Sequence, residues 1–232
     1  MLVASLCIIW VFCFNLLAEP IDEFELEFTQ EKVICDPLEN YNRFMTSFND
    51  GVYIYALNPI AKGYEAIAPK SFRSGISNVF TNLLFPLRFI NTTLQGKFSH
   101  SFDELTRFLL NSTVGLAGWN DVAGEYLNIK KHSEDFGQTL GHYGIGSGAH
   151  IVLPILGPSN VRDIFGLTGD YFANPISYVD PSIDSFAIKT YENLNTLSFH
   201  TKEYEQMRKE VIDLYIFLRN SYESRRNALI KE

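Results

Sequence analysis

The sequence predicts an all-α protein, and three observations carry that assignment. Apolar residues recur at spacings of three and four along most of the chain, the mark of amphipathic helices. Glycine, proline and asparagine punctuate the pattern where helices should start or stop. No stretch alternates apolar and polar residues for long enough to build a strand ladder.

At 232 residues the chain is long enough to bury a sizeable core. It is 46% hydrophobic, 20% charged and 14% aromatic, with 19 Phe and 12 Tyr. That aromatic load suits a large core, or surfaces that rest in a bilayer interface. The formal net charge of -8 argues against a nucleic acid held through its phosphates and against a general attraction to anionic lipid.

Residues 1–18 are apolar from Leu2 to Ala18 apart from Ser5 and Asn15, and read as a signal peptide or N-terminal anchor. Small Ala18, before Glu19 and Pro20, suits a cleavage point, although no Lys or Arg precedes the apolar run. Cys7 and Cys13 lie in this segment, so the cleaved chain is expected to hold no internal disulfide. None of Cys7, Cys13 and Cys35 follows the small residue that normally precedes a lipidated bacterial cysteine. Residues 19–35 form an acidic leader, and 36–232 the helical domain.

Within that domain Asp36 is placed to cap a helix, with Pro37 at its first position and Glu39 completing a capping box. Leu38, Tyr41, Met45, Phe48, Val52 and Tyr55 mark one face, and Asn58-Pro59 is expected to interrupt the helix. Asn42, Arg43, Asn49 and Asp50 fall off that stripe, where a soluble helix would be wet. The apolar spacing then runs from Phe72 through Phe80, Leu83 and Leu87 to Leu94, with Pro86 as a kink and Gly96 at the end. A further helix is expected to open at a Ser101/Glu104 capping box, carry Leu105, Phe108 and Leu109, and stop by Gly115. Residues 161–175 predict a short helix. From Ser185 onward the stripe passes through Phe186, Tyr191, Leu194 and Leu197, then Tyr204 to Tyr222, with Arg225, Arg226 and Lys231 complementing the final dipole.

The stretch 135–163 is the least helical. Gly141, Gly144, Gly146 and Gly148 crowd together before the apolar run at 151–156, which contains Pro154. In a helix interior glycine costs about 1 kcal/mol and proline about 3 kcal/mol relative to alanine, so a turn-rich loop is expected. The glycines formally match a dinucleotide fingerprint, but neither the strand before nor the helix after is present in the pattern. Ile145 and Ala149 exclude a hydrolase elbow around Ser147. His132, His142 and His150, with Glu134 and Asp135 nearby, lack the tight spacing of a zinc site, and Glu134 and Asp135 read as helix N-terminal charge.

In order, DPLENYNRFMTSFND, the stretch from NPIAKGYEAIAPKSF to FINTTLQGKF, RFLLNSTVGLAGWND, EDFGQTLG, VLPILGPSNVRD and YIFLRNSYESRRNALI resemble the MlaA (VacJ) family of bacterial outer-membrane proteins, over about Asp36 to Ile230. The resemblance implies a ring-like arrangement of amphipathic helices in the periplasmic leaflet of a Gram-negative-type outer membrane. A glycine-rich loop would line a central amphipathic channel, through which mislocalised phospholipids leave the outer leaflet for a soluble periplasmic carrier. Trimeric porins would stand beside it, and an inner-membrane ABC transporter downstream. On that reading Asn42, Arg43, Asn49, Asp50, Asn82, Arg107 and Asn111 are candidates for the polar lining. Gly141, Gly144, Gly146, Gly148, Ile151, Val152, Leu153 and Leu156 are candidates for its rim and wall. No metal, cofactor or catalytic group is implied. The missing lipidated-cysteine motif is the departure from many family members. A soluble periplasmic lipid-binding protein and, behind it, a phospholipid hydrolase are the alternatives; the hydrolase would need a nucleophile–base arrangement that no motif supplies.

Overall fold

The computed structural model describes residues 34–232, so the 1–18 segment and all but the end of the acidic leader lie outside the described residues. Cys35 is disulfide-bonded; the expectation of no internal disulfide concerns a chain cut after residue 18, and Cys7 and Cys13 lie outside the described residues.

The chain opens with α1 (Glu39–Val52), a π-helical turn (Tyr53–Leu57) and α2 (Asn58–Ile67), which run on without a break. The expected interruption at Asn58-Pro59 does not occur. Pro59 has no N–H and its ring would press on a carbonyl one turn back; the π turn widens the helix just before it, with the Asn58 N–H reaching the Tyr53 carbonyl. Nor does Asp36 cap α1, whose N-cap position is Leu38. Its carboxylate instead accepts hydrogen bonds from Asn42, Tyr215 and Arg219.

Helices α3 (Lys70–Leu83) and α4 (Phe85–Leu94) part at Leu84 beside Pro86, and Gly96, at φ 71°, closes α4 as the sequence indicates. Helix α5 (Phe98–Thr113) starts before Ser101, with Lys97 at its N-cap. The Ser101/Glu104 capping box is therefore not formed. Both side chains point at α4 instead: Ser101 donates to Thr92 at 2.9 Å and Glu104 accepts from Arg88 at 2.7 Å. Asp121 caps the short α6 (Val122–Leu127), and Asp135 caps α7 (Phe136–His142).

Helix α7 takes in Gly137 and Gly141, against the expectation that the glycine-rich stretch is all loop. Close packing is the reason: a Cβ at Gly141 would lie 2.5 Å from Ile230 Cδ1, and one at Gly137 2.6 Å from Arg226 Nη2. A two-stranded hairpin follows, β1 (His150–Leu153) antiparallel to β2 (Gly157–Asn160), with His150 facing Asn160 and Leu153 facing Gly157. Strands this short leave no readable alternation, so the otherwise all-α pattern hid them. The chain ends in α8 (Val161–Ala173), capped by Asn160, a 3-10 turn (Pro175–Tyr178), α9 (Ser182–Leu197), α10 (Glu203–Glu210) and α11 (Leu214–Lys231).

The packing of these helices reverses the usual polarity. In α5 Ser101, Glu104, Arg107 and Asn111 repeat at helical spacing and are buried, while Phe98, Phe102 and Leu109 are exposed. In α1 Asn42 and Thr46 face inward, and Tyr41, Phe44 and Phe48 outward. Among the described residues only six hydrophobic side chains are buried against twenty-six polar or charged ones. Of the polar positions off the α1 stripe, Asn42 is buried and Arg43, Asn49 and Asp50 are half-buried, so they do not form the wet outer face that a soluble helix would give them. No described helix is long and apolar enough to cross a membrane.

Buried polar groups hold only if they satisfy one another. Glu104, fully buried, accepts from Arg88 and also from the His132 N–H at 2.7 Å. Arg107 meets both oxygens of Asp121, at 2.9 and 2.8 Å, and Asn111 adds a third hydrogen bond to the same carboxylate. Arg226, expected only to complement its helix dipole, bridges Asp135 and Asp163 at 2.8 and 2.9 Å, tying α11 to the starts of α7 and α8. Burial would raise Asp163, but hydrogen bonds from Arg162, Arg226 and Tyr222 outweigh it and hold the carboxyl below its ordinary range. Asp170, close by, has no such cation on it; burial, with the Asp135 charge adding to it, pushes it up to about 6.

Two outcomes are expected. Glu104→Ala strands the Arg88 charge inside the protein and should cost about 3–5 kcal/mol, read as a large drop in the unfolding midpoint of the detergent-solubilised chain. For Asp170 the folded pKa lies above the unfolded one, so its contribution is fully present below about pH 4 and is lost as pH rises through about 6. Asp170→Asn should remove that loss, gaining about 1–2 kcal/mol over the parent at pH 7 and nothing at pH 4 in paired unfolding curves.

Candidate functional site

One gap interrupts this polar framework. A cavity of about 340 Å³ opens between α3, α4, the 131–134 segment and α9. Its apolar wall is Phe80, Leu84 and Leu87. Phe80 belongs to α3, Leu87 to α4, and Leu84 to the junction between them.

Four charged side chains complete the lining: Arg88, Lys131, Glu134 and Glu192. Two are already committed. Arg88 is paired with Glu104, and Glu134 accepts from Lys97 at 2.7 Å and Gln95 at 2.9 Å. Lys131 and Glu192 have no hydrogen bond or ion pair to any described residue. Lys131 is exposed to the hollow, yet burial and the nearby Arg88 charge lower its pKa from the ordinary lysine value. Burial likewise raises the Glu192 carboxyl, against the pull of Lys189. An accessible charge with protein on most sides is the signature of a concave polar space. Unpaired charges of both signs beside a hydrocarbon wall suit an amphiphile, its head at Lys131 and Glu192 and its chain along Phe80, Leu84 and Leu87.

The residues singled out from the sequence lie elsewhere. Asn42, fully buried, donates to the His150 carbonyl at 3.0 Å and accepts from the Val152 N–H at 2.8 Å, fastening the hairpin to α1. Asn49 repeats the device on the Leu153 carbonyl and the Ile155 N–H. Asp50 accepts from Tyr204 and Arg208 of α10, and Arg43 pairs with Glu39 and Asp213. Asn82 donates to Ser112, while Arg107 and Asn111 hold Asp121. None of the seven lines the cavity. Gly144 and Gly148 take φ of 84° and 70°, and a Cβ at Gly144 or Gly146 would meet nothing within 4 Å. Ile151 and Leu153 are half-buried, Val152 is buried and Leu156 exposed. The histidines are dispersed: His132 contacts Asp103 and stacks on His100, and His150 contacts Glu223.

Lys131 and Glu192 escaped the sequence reading. Lys131 belongs to the polar run KKHSED, whose sequence signals are a loose histidine–carboxylate grouping and helix N-terminal charge, and Glu192 sits off the Tyr191–Leu194 stripe of α9. A polar position next to an inward apolar stripe was the available signal, and it is unreadable until the stripe's direction is known.

Comparisons with known proteins agree with this architecture. A family model described as MlaA lipoprotein matches residues 34–229. An Escherichia coli K12 protein named intermembrane phospholipid transport system lipoprotein MlaA is 33% identical over 204 residues, covering 87% of this chain and 80% of its own length. A Rickettsia bellii protein is 30% identical over 203 residues, 85% of this chain and 78% of its own. A solved structure described as the structural basis for maintenance of bacterial outer membrane lipid asymmetry superposes with a TM-score of 0.75 at 32% identity, covering 84% of this chain and 98% of the other. The same helices, over nearly the whole described chain, place this protein in the MlaA lipoprotein family.

Proposed function

We propose that this chain moves phospholipid without catalysis, taking mislocalised phospholipid from the outer leaflet of the outer membrane through an amphipathic channel toward a periplasmic lipid carrier. The observation that carries the reading is the reversed polarity: large apolar side chains outside, a hydrogen-bonded polar framework inside, and an amphipathic cavity within it. In water so much exposed hydrocarbon would be costly, at roughly 25 cal/mol per Å². Against acyl chains it costs nothing, and helices too short or too polar to span can lie along the interface. The names of the E. coli relative and of the solved structure support transport over hydrolysis.

In this reading the helices form a ring at the periplasmic face of a Gram-negative-type outer membrane. The hydrogen-bonded residues Asn42, Arg43, Asn49, Asp50, Asn82, Arg107 and Asn111 keep the ring's shape around the lumen. Gly144, Gly146 and Gly148, with Ile151, Val152, Leu153 and Leu156 of the hairpin, supply its rim and wall, and Gly141 lets α7 approach α11 beneath them. A trimeric porin, a soluble periplasmic carrier and an inner-membrane ABC transporter are the partners that such a route requires.

Deleting the gene should raise outer-leaflet phospholipid, measured with a surface-acting phospholipase or acyltransferase as reporter, and the intact gene should restore it. An unchanged level, with the protein extracted from membranes by high salt, would favour the soluble lipid-binding alternative. Gly146→Val has room for its side chain and should leave the unfolding midpoint unchanged while altering outer-leaflet phospholipid. Normal phospholipid in that variant would remove the loop from the lipid path.

A further inference from the structure

The cavity's two uncommitted charges specify more than an amphiphile. We infer that Lys131 and Glu192 form a two-signed headgroup site that selects zwitterionic phospholipids, those carrying a phosphate and an ammonium, over anionic ones. The inference rests on the transport reading and names its preferred substrate class.

Of the four charged residues lining the hollow, Arg88 and Glu134 are neutralised by Glu104 and Lys97. That leaves one cation, Lys131, and one anion, Glu192, with their hydrogen-bonding capacity unused among the described residues. Neither is held there by structure, since neither bonds to a neighbouring element. Both are partly stripped of water, which strengthens whatever complementary charge enters. A phosphate fits an ammonium donor. A carboxylate facing the same space repels a ligand of net negative charge and accepts hydrogen bonds from an ammonium. A headgroup with both charges satisfies both residues at once, whereas an anionic headgroup leaves Glu192 opposed.

The size agrees. About 340 Å³ lies near the lower end of the roughly 300–1,000 Å³ of ligand pockets, a space for a headgroup and glycerol rather than for two whole acyl chains. Phe80, Leu84 and Leu87 take up the first part of the chains, and Thr81 and Ser133 offer hydroxyls to the glycerol region.

The test uses the full-length chain in detergent, mixed with equimolar phosphatidylethanolamine and phosphatidylglycerol of identical acyl composition. Retained lipid is quantified by mass spectrometry after gel filtration. The parent should retain phosphatidylethanolamine over phosphatidylglycerol by roughly two- to fivefold, the range of one accessible charge contact. Glu192→Gln should bring that ratio near one by gaining phosphatidylglycerol, and Lys131→Gln should weaken retention of both. Neither side chain has a partner to lose, so both variants should keep the parent's unfolding midpoint. Soluble glycerophosphoethanolamine in excess should displace little lipid, because the apolar wall contributes to binding. A parent ratio near one, or a parent ratio unmoved by Glu192→Gln, overturns the headgroup selection while leaving transport intact. Displacement by the soluble compound reassigns the site to a free solute. No lipid retained by any form overturns the transport reading itself.

Discussion

Glu104 shows what the rest of this structure depends on. A carboxylate with no exposed surface, it meets Arg88 at 2.7 Å and the His132 N–H at the same distance. Charged groups inside a protein must be answered by charged or polar groups, because the alternative is an uncompensated ion in a poor solvent. The chain repeats this solution at Arg107 with Asp121 and Asn111, at Arg226 with Asp135 and Asp163, and at Asp36 with Asn42, Tyr215 and Arg219. The last two of these join segments far apart in sequence. Where most folds are held by apolar contact, the order here comes from directional bonds whose partners are specified one by one.

That choice frees the apolar residues. Phe98, Phe102, Phe165 and Phe172 do not need to face the interior, because the interior is closed by polar contacts. They are available to whatever surrounds the molecule, and acyl chains are the surroundings that accept them. The cavity then follows as the place where the framework stops short. Arg88 and Glu134 belong to the framework, whereas Lys131 and Glu192, on the same lining, do not.

The hairpin obeys the same rule. Asn42 and Asn49, one face of α1, each donate to a carbonyl and accept from an N–H of the hairpin, acting as a side-chain strand edge against its backbone. This holds the β1 residues in place. A Cβ at Gly144 or Gly146 would meet open space, whereas Ser147 and Ala149 of the same loop accept backbone hydrogen bonds from Arg162 and Val161.

Much of the helical scaffold was legible in the sequence because spacing of three and four is a local property. The break beside Pro86, the stop at Gly96 and the end of α8 before Pro175 could be read off directly. Local rules failed where a distant partner won. Asp36 and the Ser101/Glu104 pair have the chemistry of caps but are drawn to Arg219, Thr92 and Arg88, and the π turn absorbs Pro59. Similarity in six sequence blocks pointed to the family, but not to Lys131 or Glu192. The sequence by itself determined that the helices are two-faced and where each face runs. Only the tertiary structure decided which face is inside, because the periodicity of a helix is the same whether its apolar stripe meets a protein core or a lipid chain.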